Sequence, residues 1–484
     1  MLSVRKVLVF SFLDRYAGLI ISTVSSMILA RLLTPAEIGI YSVVMVLMGF
    51  LSNFRDLGAG QYLVRHQSLS PSIMRATFTV QICLGVFLAL LMVLSAVPLA
   101  EFYREERIRN IIFVLALNVL ITPLLSYPSA WLVRQMRFDL MAVVRFAGGL
   151  AHALFGIGLV LGNVGPISLA WANVASTLVG IICLQLVARP NLPRKPIRDG
   201  LREVISFGGR LTVVSLIDSV RVGTLEMIVG RIQGLAIAGH LSRAQGLVSM
   251  FEHLVLSAVN QVAMPYFAHE NREGRPIGPL FVRAMAMVTG LGWPFFACLS
   301  LLAHPVIRLL YGPQWDVAVD PARWLALAAA LALPGLICQS PLIAKNAISD
   351  LLKASSFSMI ITVAAGLLGA THSLLFATQL MAVTSLISSV FWLSRTLPLI
   401  SAPVSDVWRV LVKSLLLAVA AMVPVGVVVA VYGLEPAFQV APISLSIIGG
   451  ALSFLAALRL TRHELWVEVA KITALPWVRR WFSR

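Results

Sequence analysis

The chain has 484 residues, of which 59% are hydrophobic and only 12% carry a charged side chain. Soluble domains average about 25% charged residues, so this composition excludes a soluble protein and indicates an integral membrane protein. The formal net charge is +17, but membrane proteins concentrate Lys and Arg in cytoplasmic loops, where anionic lipid headgroups attract them. We therefore expect membrane lipids as partners and no nucleic acid.

Apolar windows of about 20 residues, the length that crosses a bilayer as a helix, recur along the whole chain. They predict an all-α polytopic membrane protein with about fourteen transmembrane helices. The predicted spans lie near residues 7–30, 37–54, 77–100, 110–133, 141–162, 165–188, 206–231, 235–258, 280–303, 322–344, 354–376, 378–400, 408–432 and 442–459.

The basic residues predict the orientation of these spans. An even number of spans places both termini on one side of the membrane. With the amino terminus in the cytoplasm, the inside positions hold 26 Lys and Arg residues and the outside positions hold 7. This bias is the one that cytoplasmic loops carry, so we expect both termini in the cytoplasm.

A basic, proline-rich connection divides the chain. Residues 189–205 contain five cationic side chains and three prolines, and we interpret them as a cytoplasmic linker. It separates a transmembrane lobe over residues 1–188 from a second lobe, with extra helices, over 206–459. Residues 460–484 alternate tryptophan with Arg and Lys and predict an amphipathic tail in the headgroup region.

A weak internal repeat supports two related lobes. The stretch ILARLLTPAEIGIYS at 28–42 aligns with IVGRIQGLAIAGHLS at 228–242, and the five identities include Gly39 with Gly239. Chance is the alternative explanation in so apolar a chain. Duplicated lobes that hold substrate between them recur among transporters, which predicts two pseudo-repeated helical lobes around a central cavity.

The predicted seventh span, 206–231, carries five charges: Arg210, Asp218, Arg221, Glu226 and Arg231. A charge at the centre of a membrane helix costs about 2.5 to 3.5 kcal/mol on insertion scales, so such groups face protein, water or a ligand. On a helix, Arg210, Asp218 and Arg221 share one face. Two alternatives remain open, because Asp218 and Arg221 are spaced to pair with each other and Arg210 is placed to reach a membrane surface.

Six short motifs resemble the polysaccharide transporter family of oligosaccharide flippases, in the superfamily that also holds lipid II flippases and multidrug exporters of the MATE type. They occur in family order: RLLTPAEIGIY (31–41), DLGAG (56–60), RQMRF (134–138), GHLSRA (239–244), MPYF (264–267) and LLYGPQW (309–315). Two positions depart from the family pattern: Leu241 stands where tyrosine is frequent, and Glu226 is displaced from the usual acidic position.

The resemblance implies two helical bundles flanking a cavity that opens alternately to each face of a bacterial inner membrane. Its implied substrate is a lipid-linked oligosaccharide on an undecaprenyl pyrophosphate carrier, moved from the cytoplasmic to the periplasmic leaflet for exopolysaccharide or O-antigen synthesis. A polysaccharide polymerase or export machinery would be a further partner.

Arginine suits a pyrophosphate because its fork donates paired hydrogen bonds and stays charged when desolvated. The candidates for binding the anionic headgroup are Arg15, Arg210, Arg221 and Arg243. The alternative for Arg15 and Arg210 is that they anchor their helices at the membrane interface.

No phosphate-binding loop for ATP occurs, so ion coupling or downhill flipping would drive transport. Asp218, Glu226 and Glu252 are candidate proton or sodium carriers, since a desolvated carboxylate titrates near neutrality. A fixed salt bridge is the alternative for each.

Polar side chains within spans, among them Asn118 and Asn173, could contact sugar hydroxyls, with bonding between neighbouring helices as the alternative. The four cysteines are dispersed and have no histidine at metal-ligand spacing. We expect no disulfide, metal site, cofactor or catalytic centre.

Two other functions are weighed against the flippase. A MATE-like drug/ion antiporter would need an anionic cavity for cationic drugs, whereas the charged spans hold more arginine than carboxylate. A membrane-embedded glycan polymerase or glycosyltransferase would need a sizeable aqueous loop, and no predicted outside loop exceeds about 20 residues. The sequence therefore favours a transporter over an enzyme.

Overall fold

The computed structural model describes most of the chain. Its backbone is described for residues 4–56, 71–135, 137–188, 201–251, 263, 266–267, 269–432 and 440–466. Within these ranges the side chains of 4–17, 53, 55–56, 71–73, 201–214, 432 and 440 are not described.

Contacts group the chain into two compact units, residues 1–239 and 240–484. The helices of the first unit are α1 (Val4–Leu32), α2 (Pro35–Asp56), α3 (Pro71–Tyr103), α4 (Arg107–Ile121), α5 (Pro123–Arg134), α6 (Phe138–Leu161), α7 (Ile167–Val187) and α8 (Leu201–Ile232). Helix α8 packs against α2 and α3, which is why the boundary falls after it. The predicted division at the linker 189–205 stays a prediction, and residues 189–200 lie outside the described part.

Helix α9 (Leu235–Phe251) begins at the end of the first unit and continues into the second. The remaining elements are α10 (Gly278–Leu301), α11 (Ala303–Leu310), a 3-10 helix (Pro313–Ala318), α12 (Val319–Leu336), α13 (Gln339–Ala344), α14 (Ile348–Ala370), α15 (Leu374–Ile400), α16 (Val404–Tyr432) and α17 (Val440–Leu460). The tail beyond residue 466 lies outside the described residues, so the predicted amphipathic helix there stays a prediction.

The all-α membrane architecture predicted from the sequence is confirmed. Among the described residues, ten helical spans are long and apolar enough to cross a membrane, or eleven with the bent pair α4–α5 as one. The other three predicted spans coincide with α1, α8 and α9. These fall short of that criterion because α1 is only partly described, α8 is highly charged and α9 has 17 residues.

The first family motif, RLLTPAEIGIY, contains the start of α2. Thr34 Oγ1 accepts a hydrogen bond from the Glu37 backbone N–H at 3.3 Å, and Glu37 Oε2 accepts one from the Thr34 backbone N–H at 2.9 Å. This reciprocal arrangement is a capping box, and Pro35 occupies the first helical position, where its missing N–H costs nothing. The equivalent turn before α9 instead uses Gly234 at φ 100°, a conformation that favours glycine.

The core of the first unit lies between α2, α3, α4 and α7. Ile40, Leu88, Met92, Ile111 and Leu115 are buried there in one cluster. Helices α4 and α5 meet at an angle of 42°, because Pro123 cannot donate the hydrogen bond that would continue α4. One predicted span is therefore a bent pair.

A buried histidine connects the end of α17 to α10 and α16 in the second unit. His463 Nδ1 accepts a hydrogen bond from the Leu465 N–H at 3.2 Å, and Nε2 lies 3.3 Å from Ser414 Oγ. Ser414 Oγ is in turn 2.8 Å from Thr289 Oγ1. Because Nδ1 accepts, the neutral ring carries its proton on Nε2 and donates it to Ser414.

We expect His463 to make the protein less stable in mild acid. Burial, together with the positive charge of Lys413, lowers the pKa of His463 to about 4, below its usual value near 6.5. The neutral His463 side chain therefore contributes its full share to the free energy of unfolding above about pH 6.5. As the pH falls toward 4 this contribution is lost, and the total loss is up to about 3 kcal/mol. Thermal unfolding of purified protein at pH 7 and pH 5 measures this loss. We expect the unfolding temperature of His463→Gln to change less between pH 7 and pH 5 than that of the wild type. An equal change in the two proteins would contradict the prediction.

Candidate functional site

Helix α8 is continuous over 32 residues, so the charges predicted in one span do lie on one helix. Arg221 Nε lies 3.5 Å from Asp218 Oδ1, with the two side chains 29% and 31% exposed. A pair this exposed contributes at most about 1 kcal/mol. Asp218 therefore orients Arg221 without fixing it firmly, and both side chains remain accessible. A role for Arg221 in binding the substrate stays a prediction.

Glu226 occupies a different environment on the same helix. Its side chain is buried, at 7% exposure, and lies near enough to Tyr103 for the two groups to interact electrostatically. Tyr103 Oη also donates a hydrogen bond to the Met227 carbonyl at 3.2 Å. Glu226 thus belongs to the contact between α8 and α3, and its predicted coupling role stays a prediction.

The end of α8 is held by a second contact with α3. The Arg231 guanidinium lies over the Phe102 ring, 5.0 Å from its centroid, and such cation–π contacts contribute about 0.5 to 2 kcal/mol. Phe102 and Tyr103 therefore both dock on the last turns of α8. Sequence reasoning missed these two aromatic residues because they lie just beyond the predicted span 77–100 and belong to no motif.

Gly39 and Gly239, the glycines that the internal repeat aligns, lie against each other where α2 crosses α9. A Cβ on Gly39 would overlap the Leu235 carbonyl oxygen and lie 2.9 Å from the Gly239 nitrogen. A Cβ on Gly239 would overlap the Pro35 carbonyl oxygen and lie 3.0 Å from the Gly39 nitrogen. The contact is reciprocal: Gly39 meets Leu235 and Gly239, and Gly239 meets Pro35 and Gly39, which are the residues 200 positions earlier. Only glycine permits backbones to approach this closely.

Small residues also bring α2 against α8. A Cβ on Gly223 would overlap the side chain of Val46, and a Cβ on Gly230 would lie 3.0 Å from Val43 Cγ2. Helix α2 therefore packs on the carboxyl-terminal half of α8, beyond the Asp218–Arg221 pair. The charged helix is enclosed toward this end by glycine-mediated packing.

Arg243, the candidate in the second unit, is part of an aromatic cluster. Its guanidinium lies 5.6 Å from the Tyr311 ring centroid and 5.7 Å from that of Trp315. His240 packs edge-on against Trp315 at 5.4 Å. The motifs GHLSRA and LLYGPQW thus contact each other through these four side chains, and Trp315 is fully buried. This contact gives Arg243 a structural role, while its predicted headgroup role stays a prediction.

Three candidates cannot be placed at the level of side chains. Arg15 lies on α1 and Arg210 on α8, but the side chains of both lie outside the described residues, as does Glu252 entirely. Their predicted roles in binding and coupling stay predictions.

The polar residues Asn118 and Asn173 connect helices of the first unit. Thr177 Oγ1 donates to Asn118 Oδ1 at 2.7 Å, which joins α7 to α4. Asn173 Nδ2 donates to Tyr41 Oη at 2.6 Å, which joins α7 to α2. The structure favours bonding between helices over sugar contacts for these two side chains.

Solved structures of other membrane proteins share this fold. The lipid II flippase MurJ, in an inward closed conformation, superposes with a TM-score of 0.76 at 11% identity, covering 95% of this chain and 99% of that chain. An inward-facing multidrug resistance transporter of the MATE family in the MOP superfamily superposes with a TM-score of 0.67 at 12% identity. This match covers 79% of this chain and 95% of that chain. At these identities the likeness concerns the fold alone, and it confirms the predicted two-lobe helical fold.

Sequence comparison gives the family. The succinoglycan biosynthesis transport protein ExoT of Rhizobium meliloti is 26% identical over 309 residues, which is 63% of this chain and 62% of that protein. The match thus spans less than two thirds of that relative's length. A family model described as polysaccharide biosynthesis protein matches residues 28–320, more than half of the chain and all six motifs of the resemblance. The chain therefore belongs to this family of polysaccharide biosynthesis proteins.

Proposed function

We propose that the protein moves lipid-linked oligosaccharide repeat units, on an undecaprenyl pyrophosphate carrier, from the cytoplasmic to the periplasmic leaflet by alternating access. The repeat units would then enter exopolysaccharide or O-antigen synthesis. The observation that carries the proposal is the Asp218–Arg221 pair on α8, a membrane-length helix on which both charges stay accessible.

The chemistry of the substrate explains the need for such a helix. A pyrophosphate and a glycan are both strongly hydrated, and neither crosses hydrocarbon without groups that replace the lost water. A guanidinium replaces that water well, since it is weakly hydrated and donates paired hydrogen bonds to phosphate oxygens. Arg221 supplies such a group, and the predicted contributions of Arg15, Arg210 and Arg243 would add others.

The comparisons support transport of this kind. The family is one of polysaccharide biosynthesis, and the Rhizobium relative carries the name of a transport protein. MurJ, which shares the fold, is a lipid II flippase. The MATE transporter shares the fold as well, so the choice between the two substrate classes rests on the arginines and on family membership. Both favour an anionic lipid-linked glycan over a cationic drug.

We infer that the protein transports its substrate and does not catalyse glycan polymerisation or transfer. A family of polysaccharide biosynthesis includes steps of both kinds, and the helical transporter fold supports the first. The multi-pass membrane protein would lie in the bacterial inner membrane with both termini in the cytoplasm, as the charge bias predicts. A polymerase or export complex would receive its product on the periplasmic side.

Deletion of the protein in its host tests this function. Lipid-linked repeat units are expected to accumulate on the cytoplasmic leaflet, because a glycan-bearing pyrophosphate does not cross unaided. Accessibility of the glycan to an added periplasmic glycosidase, before and after permeabilisation, reports the leaflet. Wild-type protein supplied on a plasmid should restore periplasmic exposure.

The same assay separates the rivals. Normal translocation with unpolymerised units outside would contradict the flippase and favour a polymerase. Unchanged glycan export together with increased sensitivity to cationic drugs would favour the antiporter.

A further inference from the structure

A groove of about 520 Å³ lies in the second unit between α10, α12 and α16. Its lining is largely alanine, leucine, valine, methionine and phenylalanine. Leu327, Leu415 and Val419 on its walls remain exposed within the described residues. An exposed apolar lining on membrane-length helices is suited to hydrocarbon and not to water.

The length of the groove is comparable to the thickness of one leaflet of a bilayer. Along α12 its lining runs from Arg323 to Leu331, which is about 12 Å at about 1.5 Å per residue. Along α10 it runs from Ser300 to Trp293 in the same direction. Half of a hydrocarbon core of about 30 Å is about 15 Å. The groove therefore accommodates about four fifths of the length of acyl chain that lies in one leaflet.

Arg323 is the one charged residue among the described residues that line the groove, and it lies at one end. Arg323 Nη1 donates to Asp320 Oδ1 at 2.7 Å, and the Asp320 side chain is 58% exposed. Ser300 Oγ donates to the Arg323 carbonyl at 3.4 Å. At the opposite end the indole N–H of Trp293 donates to the Ala330 carbonyl at 2.8 Å, which leaves an apolar ring surface toward the groove.

The charges at the Arg323 end of the groove are complementary to a particular kind of lipid headgroup. The Arg323 guanidinium and the Asp320 carboxylate lie side by side, and a zwitterionic headgroup likewise carries one group of each charge, a phosphate and an ammonium. A bound headgroup of this kind would pair its phosphate with Arg323 and its ammonium with Asp320. A purely anionic headgroup would meet repulsion from Asp320.

We propose that this groove binds one zwitterionic phospholipid, with an acyl chain between α10, α12 and α16 and the headgroup at Arg323 and Asp320. The proposal rests on the membrane location of the chain and is independent of the substrate that it transports. Such a lipid would fill an apolar surface that the three helices leave uncovered and would stabilise their packing in the second unit.

Native mass spectrometry of the full-length protein in detergent, titrated with phosphatidylethanolamine, tests the acyl-chain part. Ala297→Phe places a ring inside the groove, and we expect it to weaken binding of the first lipid about tenfold, equivalent to about 1.4 kcal/mol. Ala456→Phe, on the exposed surface of α17, is the matched control and should bind like the wild type. Equal affinities for Ala297→Phe and Ala456→Phe would overturn the proposal.

The headgroup part is tested with a substitution at an exposed position, which keeps the test valid if Ala297→Phe fails to fold. Asp320→Asn removes the partner of the ammonium, so the preference for phosphatidylethanolamine over phosphatidylglycerol should fall about tenfold or reverse. An unchanged preference would overturn the headgroup assignment. Displacement of the bound lipid from the wild type by equimolar undecaprenyl phosphate would overturn the phospholipid as occupant in favour of a polyprenyl carrier.

Discussion

Gly39→Ala and Gly239→Ala are each expected to destabilise the protein and to abolish transport. In both variants the new methyl group overlaps a backbone carbonyl oxygen of the facing helix, and a backbone atom cannot rotate away as a side chain can. Overpacking costs about 1 to 3 kcal/mol, and we expect the upper end here. The thermal unfolding midpoint in detergent and the periplasmic exposure of the glycan measure the two effects.

Each variant has a matched control on its own helix. Gly49 on α2 and Gly246 on α9 have no atom within 4 Å of an added Cβ, and alanine favours the helix by up to about 1 kcal/mol. Gly49→Ala and Gly246→Ala should therefore be neutral or mildly stabilising. The effects of Gly39→Ala and Gly239→Ala should also be less than additive, because the first methyl group already separates the helices at the shared crossing. Equal unfolding midpoints for Gly39→Ala and Gly49→Ala would contradict the close approach.

Arg221→Ala is expected to reduce translocation about 10- to 100-fold with little loss of stability. A hydrogen bond to a charged group contributes about 1.5 to 3 kcal/mol, and about 1.4 kcal/mol corresponds to a tenfold change in rate. Stability should change by less than about 1 kcal/mol, because the pair with Asp218 is partly exposed. Arg221→Lys should restore part of the activity, since it keeps the charge and loses the fork.

Two further substitutions on α8 show whether a loss of translocation in Arg221→Ala comes from the Arg221 guanidinium itself. Arg231→Ala removes a cation that stacks on Phe102, so it should affect stability more than translocation. Asp218→Asn should reduce translocation less than Arg221→Ala if Asp218 only orients the guanidinium. If Asp218 carries a proton, Asp218→Asn should instead remove the dependence of transport on a pH gradient. Wild-type translocation in Arg221→Ala at equal expression would exclude this residue from the site.

The spans were predictable because their signal is local. A run of about 20 apolar residues identifies a membrane helix without knowledge of its neighbours, and the helices of the structure coincide with the predicted spans. Elements shorter than this, such as α11 and the 3-10 helix at Pro313–Ala318, give no such signal. The bend at Pro123 is also local, but proline within an apolar run marks a kink and a boundary equally well.

The contacts of the candidate residues were less predictable, because they depend on packing between distant parts of the chain. Arg243 meets Tyr311 and Trp315 across more than 60 residues of sequence, and nothing in its own neighbourhood indicates aromatic partners. The repeat identified Gly39 and Gly239 as equivalent positions. It gave no sign that these two equivalent positions touch, since sequence similarity carries no information on contacts between helices.

The glycine crossing has a consequence for how α2 and α9 separate. In a self-complementary contact the same surface meets itself from both sides. The approach of Gly39 to the Leu235 carbonyl and that of Gly239 to the Pro35 carbonyl therefore depend on each other. Any displacement that lifts α2 from Leu235 also lifts α9 from Pro35. The Leu235–Gly39 and Pro35–Gly239 contacts are therefore expected to be kept or lost as one unit.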